Sequence, residues 1–314
     1  LLPGSPSELI YRSQPFPYIQ LIYEFQVLGR GHSGSVHVAV RKSDGKKFAL
    51  KVLLDLPQAR REVELQYAAQ GPNVVEIKDV YANIYCERRC LFVVMEHMGG
   101  GQLFDRIKQG QLTERDAARI MQQLCSAVAH LHSLNIAHRD IKPENVLYSS
   151  NGILKLCDFG FAKRIEESAE KPLHTVCYSN YYAPPEILQR LCYDKSCDMW
   201  SLGVVMYILL CGYPPFYSKS GDDFSMGMQR RIKAGQYDFP SPEWDFISDQ
   251  AKALIKNLLV TDPCQRLTIE QLMQSEWITH CIIAPKTPLH TSKMLTEEQM
   301  QDINVFILSF FQNF

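Results

Sequence analysis

The sequence has almost no net charge: 33 basic side chains stand against 34 acidic ones in 314 residues, a formal balance of −1. Without an overall positive field, nothing would hold the whole chain on nucleic acid or on an anionic membrane, so neither is an expected partner. A long uninterrupted apolar segment is also missing. Residues 199–218 carry no charge, but Gly203, Gly212, Pro214 and Pro215 break the run. Its densest part falls short of the ~20 residues a membrane span needs, and a buried helix is expected there. The opening Leu1-Leu2-Pro3 is not a basic segment followed by an apolar core, so no export signal is expected. Cysteine is present ten times, but no second Cys/His pair at metal-site spacing accompanies Cys86 and Cys90, which speaks against zinc. Cys125, Cys157 and Cys211 lie inside apolar runs, as reduced core thiols do, and point to a reducing compartment. No internal repeat is visible.

With 46% hydrophobic and 21% charged residues, the chain is long enough for two lobes, each with its own core. Residues 1–21, with four prolines and no steady periodicity, read as an extended lead-in. The pattern then changes. Val36, Val38 and Val40 alternate with polar or small residues. A Ser43-Asp44-Gly45 turn follows, and then Phe48-Ala49-Leu50-Lys51-Val52, as two antiparallel strands require. Residues 59–69 have helical composition and residues 91–95 form an apolar strand ending at Glu96. Gly99, Gly100 and Gly101 break the pattern, and residues 114–134 and 202–210 have the density of buried helices. The expected fold is α+β and bilobal. A small antiparallel β lobe with one helix covers 22–98, a larger mainly helical lobe covers 99–280, and a regulatory or docking extension covers 281–314.

Gly29-Arg30-Gly31-His32-Ser33-Gly34-Ser35-Val36 fits G-x-G-x-x-G-x-V, in which absent side chains let backbone amides approach phosphates. A dinucleotide-binding loop would run into a helix, with an acid about 20 residues further on. Here the loop runs into an alternating strand followed by Lys51, which argues against nicotinamide chemistry. A lysine between apolar neighbours is costly unless its ammonium meets an anion. A phosphate and a carboxylate would serve, and Glu62 or Glu64 on the following helix is the candidate, Glu62 being preferred, since only one can share the face aimed at the strand. His138-Arg139-Asp140-Ile141-Lys142-Pro143-Glu144-Asn145 gathers an acid, a cation and an amide in one loop. Asp140 can accept a hydroxyl proton, Lys142 can neutralise a moving phosphoryl group, and Asn145 can coordinate metal. Asp158-Phe159-Gly160 follows at a spacing of 13 residues from Asn145 and offers a hard oxygen for Mg²⁺.

This ordered set resembles the eukaryotic protein kinases over roughly residues 22–280. The resemblance implies phosphoryl transfer from ATP with Mg²⁺ held by Asn145 and Asp158, and Asp140, Lys142 and Asn145 as the catalytic group. It implies an ATP site of Leu28, Gly29, Gly31, Gly34, Val36, Ala49, Lys51, Glu62, Met95, Glu96, Met98 and Leu147, with Met95 as gatekeeper. It further implies that Asp198 supports the catalytic loop and that Arg266 pairs with Glu186. The segments Phe161-Ala162-Lys163, Tyr193-Asp194-Lys195-Ser196-Cys197-Asp198-Met199-Trp200, Leu210-Cys211-Gly212-Tyr213-Pro214-Pro215-Phe216 and Pro285-Lys286-Thr287-Pro288-Leu289-His290-Thr291 are similar to the MAP-kinase-activated protein kinases, in the calmodulin-dependent-kinase-like group. That implies protein substrates with basic residues before the target Ser or Thr, control by a stress-activated MAP kinase, and a location in cytoplasm and nucleus.

Several positions depart from the family pattern. Gln102 stands where a glutamate helps hold the substrate arginine and the ribose, so a charge-assisted contact becomes neutral, while Glu144 is retained. Thr175 occupies the activation-loop phosphosite, but Val176 follows it where a proline would direct a MAP kinase; Arg139 can still receive a phosphate there. Ser179-Asn180 replaces Thr-Pro, and Ala183-Pro184-Pro185-Glu186 replaces Val-Ala-Pro-Glu. Ser179 keeps a hydroxyl for the substrate site. Thr287-Pro288 is a proline-directed site, and after it Met300, Ile303, Phe306, Ile307, Phe310 and Phe311 recur at near-helical spacing. That stripe reads either as a helix completing the large lobe or as an inhibitory segment. The competing functional class is a pseudokinase or scaffold, against which the joint retention of Lys51, Glu62, Asp140, Lys142, Asn145 and Asp158 argues.

Overall fold

The structure, a computed structural model, describes residues 11–13, 23–31, 34–85, 87–110, 112–165, 181–189, 194–217, 226–280 and 289, with side chains from Val36 onward. The alternating segments form strands β1 (Tyr11–Ser13), β2 (Tyr23–Gly31), β3 (Gly34–Arg41), β4 (Lys47–Leu54), β5 (Ile77–Tyr85) and β6 (Arg88–Glu96). They make one six-stranded sheet in the order β1-β5-β6-β4-β3-β2. All pairings are antiparallel except β1 on β5, which is parallel. The lead-in therefore holds a strand that its prolines did not suggest, added at the edge opposite β2.

Strand periodicity divides the sheet into two faces. Leu53, Leu91, Val93 and Met95 pack with Val63 of helix α1 (Pro57–Ala68), joined by the half-buried Ala49. Phe48, Leu50, Phe92 and Val94 form a separate cluster on the other face. Lys51 belongs to the helix side of this alternation, level with Val36 on β3 and Val93 on β6. The sheet thus brings Lys51 to the same side as α1, level with Val36, which follows the glycine-rich turn.

After the sheet the chain turns through three glycines. A Cβ on Gly100 would lie 2.6 Å from the Ser149 carbonyl oxygen and 2.7 Å from Tyr148 Cβ, and Gly101 has φ of 78°. Here glycine is required by close backbone approach and by the left-handed conformation, beyond marking a boundary. Gly100 N–H donates to Tyr148 O at 2.8 Å and Tyr148 N–H donates to Gly101 O at 2.9 Å. The passage from sheet to helices is therefore clamped to the hairpin of β8 (Val146–Tyr148) and β9 (Leu154–Leu156), which follows the two-residue β7 (Ile136–Ala137).

The large lobe is built on α3 (Glu114–Ser133), which follows the short α2 (Leu103–Lys108), and on α5 (Ser196–Cys211), which follows α4 (Pro185–Leu188). Thr113 caps α3, its hydroxyl accepting from Asp116 N–H at 3.1 Å. Every residue of α5 from Cys197 to Cys211 is buried, and the helix ends at Gly212 with φ of 89°. Its apolar circumference is that of a core helix, and no described helix is long and apolar enough to cross a membrane. Trp200 of α5 stacks on Phe216 at 5.5 Å and carries the Arg266 guanidinium over its ring at 5.2 Å. Arg266 in turn holds Glu186 of α4 through a two-pronged pair at 2.9 and 3.1 Å. Helices α6 (Met226–Ala234), α7 (Asp249–Leu258), α8 (Ile269–Met273) and α9 (Glu276–Thr279) complete this lobe.

Candidate active site

Gly29 stands opposite Val36 and Gly31 opposite Gly34, with a register shift between Val27 and Gly29. The turn thus lies between two strands and not before a helix, the arrangement that separates it from dinucleotide-binding loops. Leu28 and the three glycines are placed by backbone only; residues 32 and 33 lie outside the described residues.

Lys51 Nζ reaches Glu62 Oε1 at 2.6 Å and Asp158 Oδ1 at 3.1 Å. Glu62 is buried whereas Glu64, two residues on, is exposed, so the helical phase decides which acid faces the sheet. Burial alone would favour an uncharged Lys51, but the carboxylates of Asp158 and Glu62 outweigh it and hold its pKa above the ordinary value. Burial pushes Glu62 up, against the pull of Lys51. Asp158 also suffers burial, yet Lys51 and then Lys142 hold its pKa below the usual range, which favours its charged form.

The catalytic loop is shaped by one buried carboxylate. Asp198, at the start of α5, accepts from His138 N–H at 2.9 Å and Arg139 N–H at 2.8 Å, and bonds His132 Nε2 at 2.9 Å. Burial disfavours its charge, but the His132 contact and the amides carry its pKa below normal. Arg139 has φ of 71° and Asp158 φ of 61°, a strained region for residues with a Cβ that is held where the surrounding bonds over-determine it. Asp140 is thereby set beside Lys142, whose Nζ is 3.0 Å from Asp140 Oδ2. Burial would lower the Lys142 pKa, and the carboxylates of Asp140 and Glu144 together outweigh that and raise it. Asn145 donates to both the Asp140 carbonyl oxygen and Asp140 Oδ2 at 2.8 Å.

Asp158 lies two residues beyond β9. His138 meets Phe159 edge-on at 5.0 Å and bonds the Cys157 carbonyl oxygen at 3.1 Å, joining this segment to the catalytic loop. Asn145 spends its amide hydrogens on Asp140, which leaves its amide oxygen as a donor atom for a cation. Together with the Asp158 carboxylate this is a hard-oxygen set that suits Mg²⁺. No cluster of three or more His, Cys, Asp or Glu among the described residues offers another metal site.

Ala49, Met98 and Leu147 are half-buried against the cluster that contains Met95, beside the hinge, the connection that runs from the end of β6 to the three glycines. Glu96 and Met98 are half-buried. Gln102 is exposed and its backbone bridges to Leu147. Glu144 Oε2 is buried without a hydrogen bond, and burial raises its pKa. Arg139 is buried. Thr175, Ser179 and Thr287, and the helical stripe after residue 294, lie outside the described residues.

Three sets of side-chain contacts carried no readable sequence signal, including those of Glu96, whose place in the expected ATP site says nothing of what its carboxylate bonds. The Glu96 side chain accepts from Glu76 N–H at 2.8 Å and from Lys155 Nζ at 2.6 Å, tying the hinge to β9. Asn73 donates to Leu154 O at 2.7 Å. Gln66 lies buried on α1. Only the polar Lys155 between Leu154 and Leu156 hints at any of these, and its partner is 59 residues away.

The protein kinase domain family matches residues 23–278. MAP kinase-activated protein kinase 2 of Homo sapiens is 54% identical over 281 residues, covering 87% of this chain and 70% of that protein. The Drosophila melanogaster protein of the same name is 51% identical over 280 residues, with 87% and 77% covered. Homo sapiens MAP kinase-activated protein kinase 5 is 44% identical over 283 residues, with 81% and 59% covered.

Proposed function

From the premise that this chain belongs to the protein kinase family, among the MAP kinase-activated protein kinases, we propose how its residues carry out the transfer and what they select. The enzyme is a serine/threonine protein kinase with ATP and a protein hydroxyl as its substrates. Lys51, fixed by Glu62, binds phosphate oxygens. The substrate hydroxyl oxygen attacks the γ-phosphorus and its proton passes to Asp140; the bond from that phosphorus to the bridging oxygen breaks, and ADP leaves. Lys142 neutralises the charge on the moving group. When bound, Mg²⁺ supplies further charge neutralisation, and Asn145 and Asp158 would hold it. These roles follow the general pattern of protein kinases. The observation that supports them best in this chain is the connected Glu62–Lys51–Asp158 and Lys142–Asp140–Asn145 network.

Substrate selection rests on Glu144, whose carboxylate would give a guanidinium a charge-assisted contact, with Gln102 giving a neutral one. A peptide library incubated with labelled ATP should take up phosphate on Ser and Thr, with a preference for arginine before the target. A library without that preference would remove Glu144 and Gln102 from substrate recognition.

Control by an upstream MAP kinase fits Thr287, followed by Pro288, better than Thr175, followed by Val176. Mapping of phosphate after treatment with an active MAP kinase should find Thr287 modified. Phosphate on Thr175 with none on Thr287 would reverse this assignment.

A further inference from the structure

Gln66 sits on α1 one turn after Glu62, on the same buried face, and is 4% exposed. An amide at an apolar helical position is costly unless it is hydrogen-bonded. Its Nε2 donates to the Val75 carbonyl oxygen at 3.0 Å and lies 3.5 Å from the Met95 sulfur. Val75 belongs to a short stretch that is already fastened to β9. Its N–H donates to Leu156 O at 2.9 Å, Leu156 N–H donates to Asn73 O at 2.8 Å, and the Asn73 side chain donates to Leu154 O at 2.7 Å. Leu156 is two residues before Asp158.

Helix α1 is therefore joined to the Asp158 segment by two routes. One is charged, Glu62 to Lys51 to Asp158. The other is neutral, Gln66 to Val75 to Leu156. Among the described residues, Gln66 is the one α1 side chain that hydrogen-bonds this stretch. A purely packing residue would need no donor here, and a methionine or leucine would fill the same space beside Val63, Val75 and Met95.

We propose that Gln66 is a positioning residue for phosphoryl transfer, a neutral latch that ties α1 to β9, the strand that leads into Asp158, and so keeps Glu62 within reach of Lys51. The latch is independent of the charges it serves. It therefore holds the helix when the ammonium is engaged elsewhere, as when Lys51 turns to phosphate. This inference rests on the kinase reading above.

Gln66→Met keeps length and volume but removes the donor. It should lower kcat/KM for ATP about tenfold, the size of one lost buried hydrogen bond, with an unfolding midpoint within a few degrees of the parent. In a Glu62→Gln background the same change should cost nothing further, because Gln66 acts through Glu62. Parent-like kcat/KM in Gln66→Met, or an undiminished tenfold loss in the Glu62→Gln background, would overturn the latch. A second measurement decides the matter even if Gln66→Met does not fold. In Lys51→Met, amide hydrogen exchange across residues 57–68 should stay slow, since the neutral route remains; fast exchange there would show that the ion pair alone holds α1. If the parent chain transferred no phosphate, the kinase reading would fail instead, and the exchange measurement would still judge the latch.

Discussion

Lys51→Arg is expected to cut kcat/KM by about 10²- to 10³-fold, the scale for losing one preorganised electrostatic contact, while the unfolding midpoint stays close to that of the parent. The space around the ammonium sets this size. Lys51 is buried, and its Nζ fits between Glu62 Oε1 at 2.6 Å and Asp158 Oδ1 at 3.1 Å. An ammonium is a compact point charge that can serve two carboxylates and a phosphate in turn; a guanidinium is a planar fork that is longer and cannot place one nitrogen at that spot. Charge is conserved, so the loss isolates geometry. Steady-state kinetics with ATP and peptide, alongside a thermal melt, provide the check. Near-parent turnover in the folded variant would take Lys51 out of the site.

Asp198→Ala should have the largest effect on stability, about 3–5 kcal/mol, as is found when one partner of a buried charged network is removed. Two loop amides and the His132 ring lose their acceptor together, in a place where no water can replace it, since Asp198 is 0% exposed. Activity should fall as well, because Arg139 holds φ of 71° only while its amide is pinned, and Asp140 is the next residue. Asp198→Asn keeps one acceptor oxygen and should lie between the two. Denaturant titration reads the stability change, and an unchanged midpoint in the alanine variant would show that the loop is held by other contacts.

Much of this architecture can be read from local strings, for reasons visible in particular residues. The loop from His138 to Asn145 is contiguous, so its chemistry is concentrated where a pattern can be seen. Glu62 was separable from Glu64 because a helix presents only one of them to the sheet, and the ion pair at 2.6 Å follows from that phase. The apolar run after Met199 reads as a core helix because Gly212 and the prolines behind it end it early. The features that stayed hidden act through main-chain atoms or distant partners. Gln66 bonds a carbonyl oxygen, which no side-chain pattern reveals. Glu96 and Lys155 meet only after the hinge folds back over the β8–β9 hairpin. Strand β1 has three residues and gains its order from pairing with β5, a tertiary contact that overrides weak local propensity. Likewise, Gly100 looked like a breaker in the sequence, whereas the fold shows that a side chain there would strike Ser149 and Tyr148.

The central claim is that this chain moves the γ-phosphate of ATP to a protein hydroxyl with Asp140 receiving the proton. It is tested most directly by following labelled phosphate from ATP into a serine peptide with the parent chain and with Asp140→Asn. Asparagine keeps the shape beside Lys142 and Asn145 but cannot take up the hydroxyl proton. The parent should label the peptide, and the variant, folded as judged by its thermal melt, should be slower by about 10²- to 10⁴-fold, the range for removing a general base. Labelling by folded Asp140→Asn at the parent rate would contradict the account.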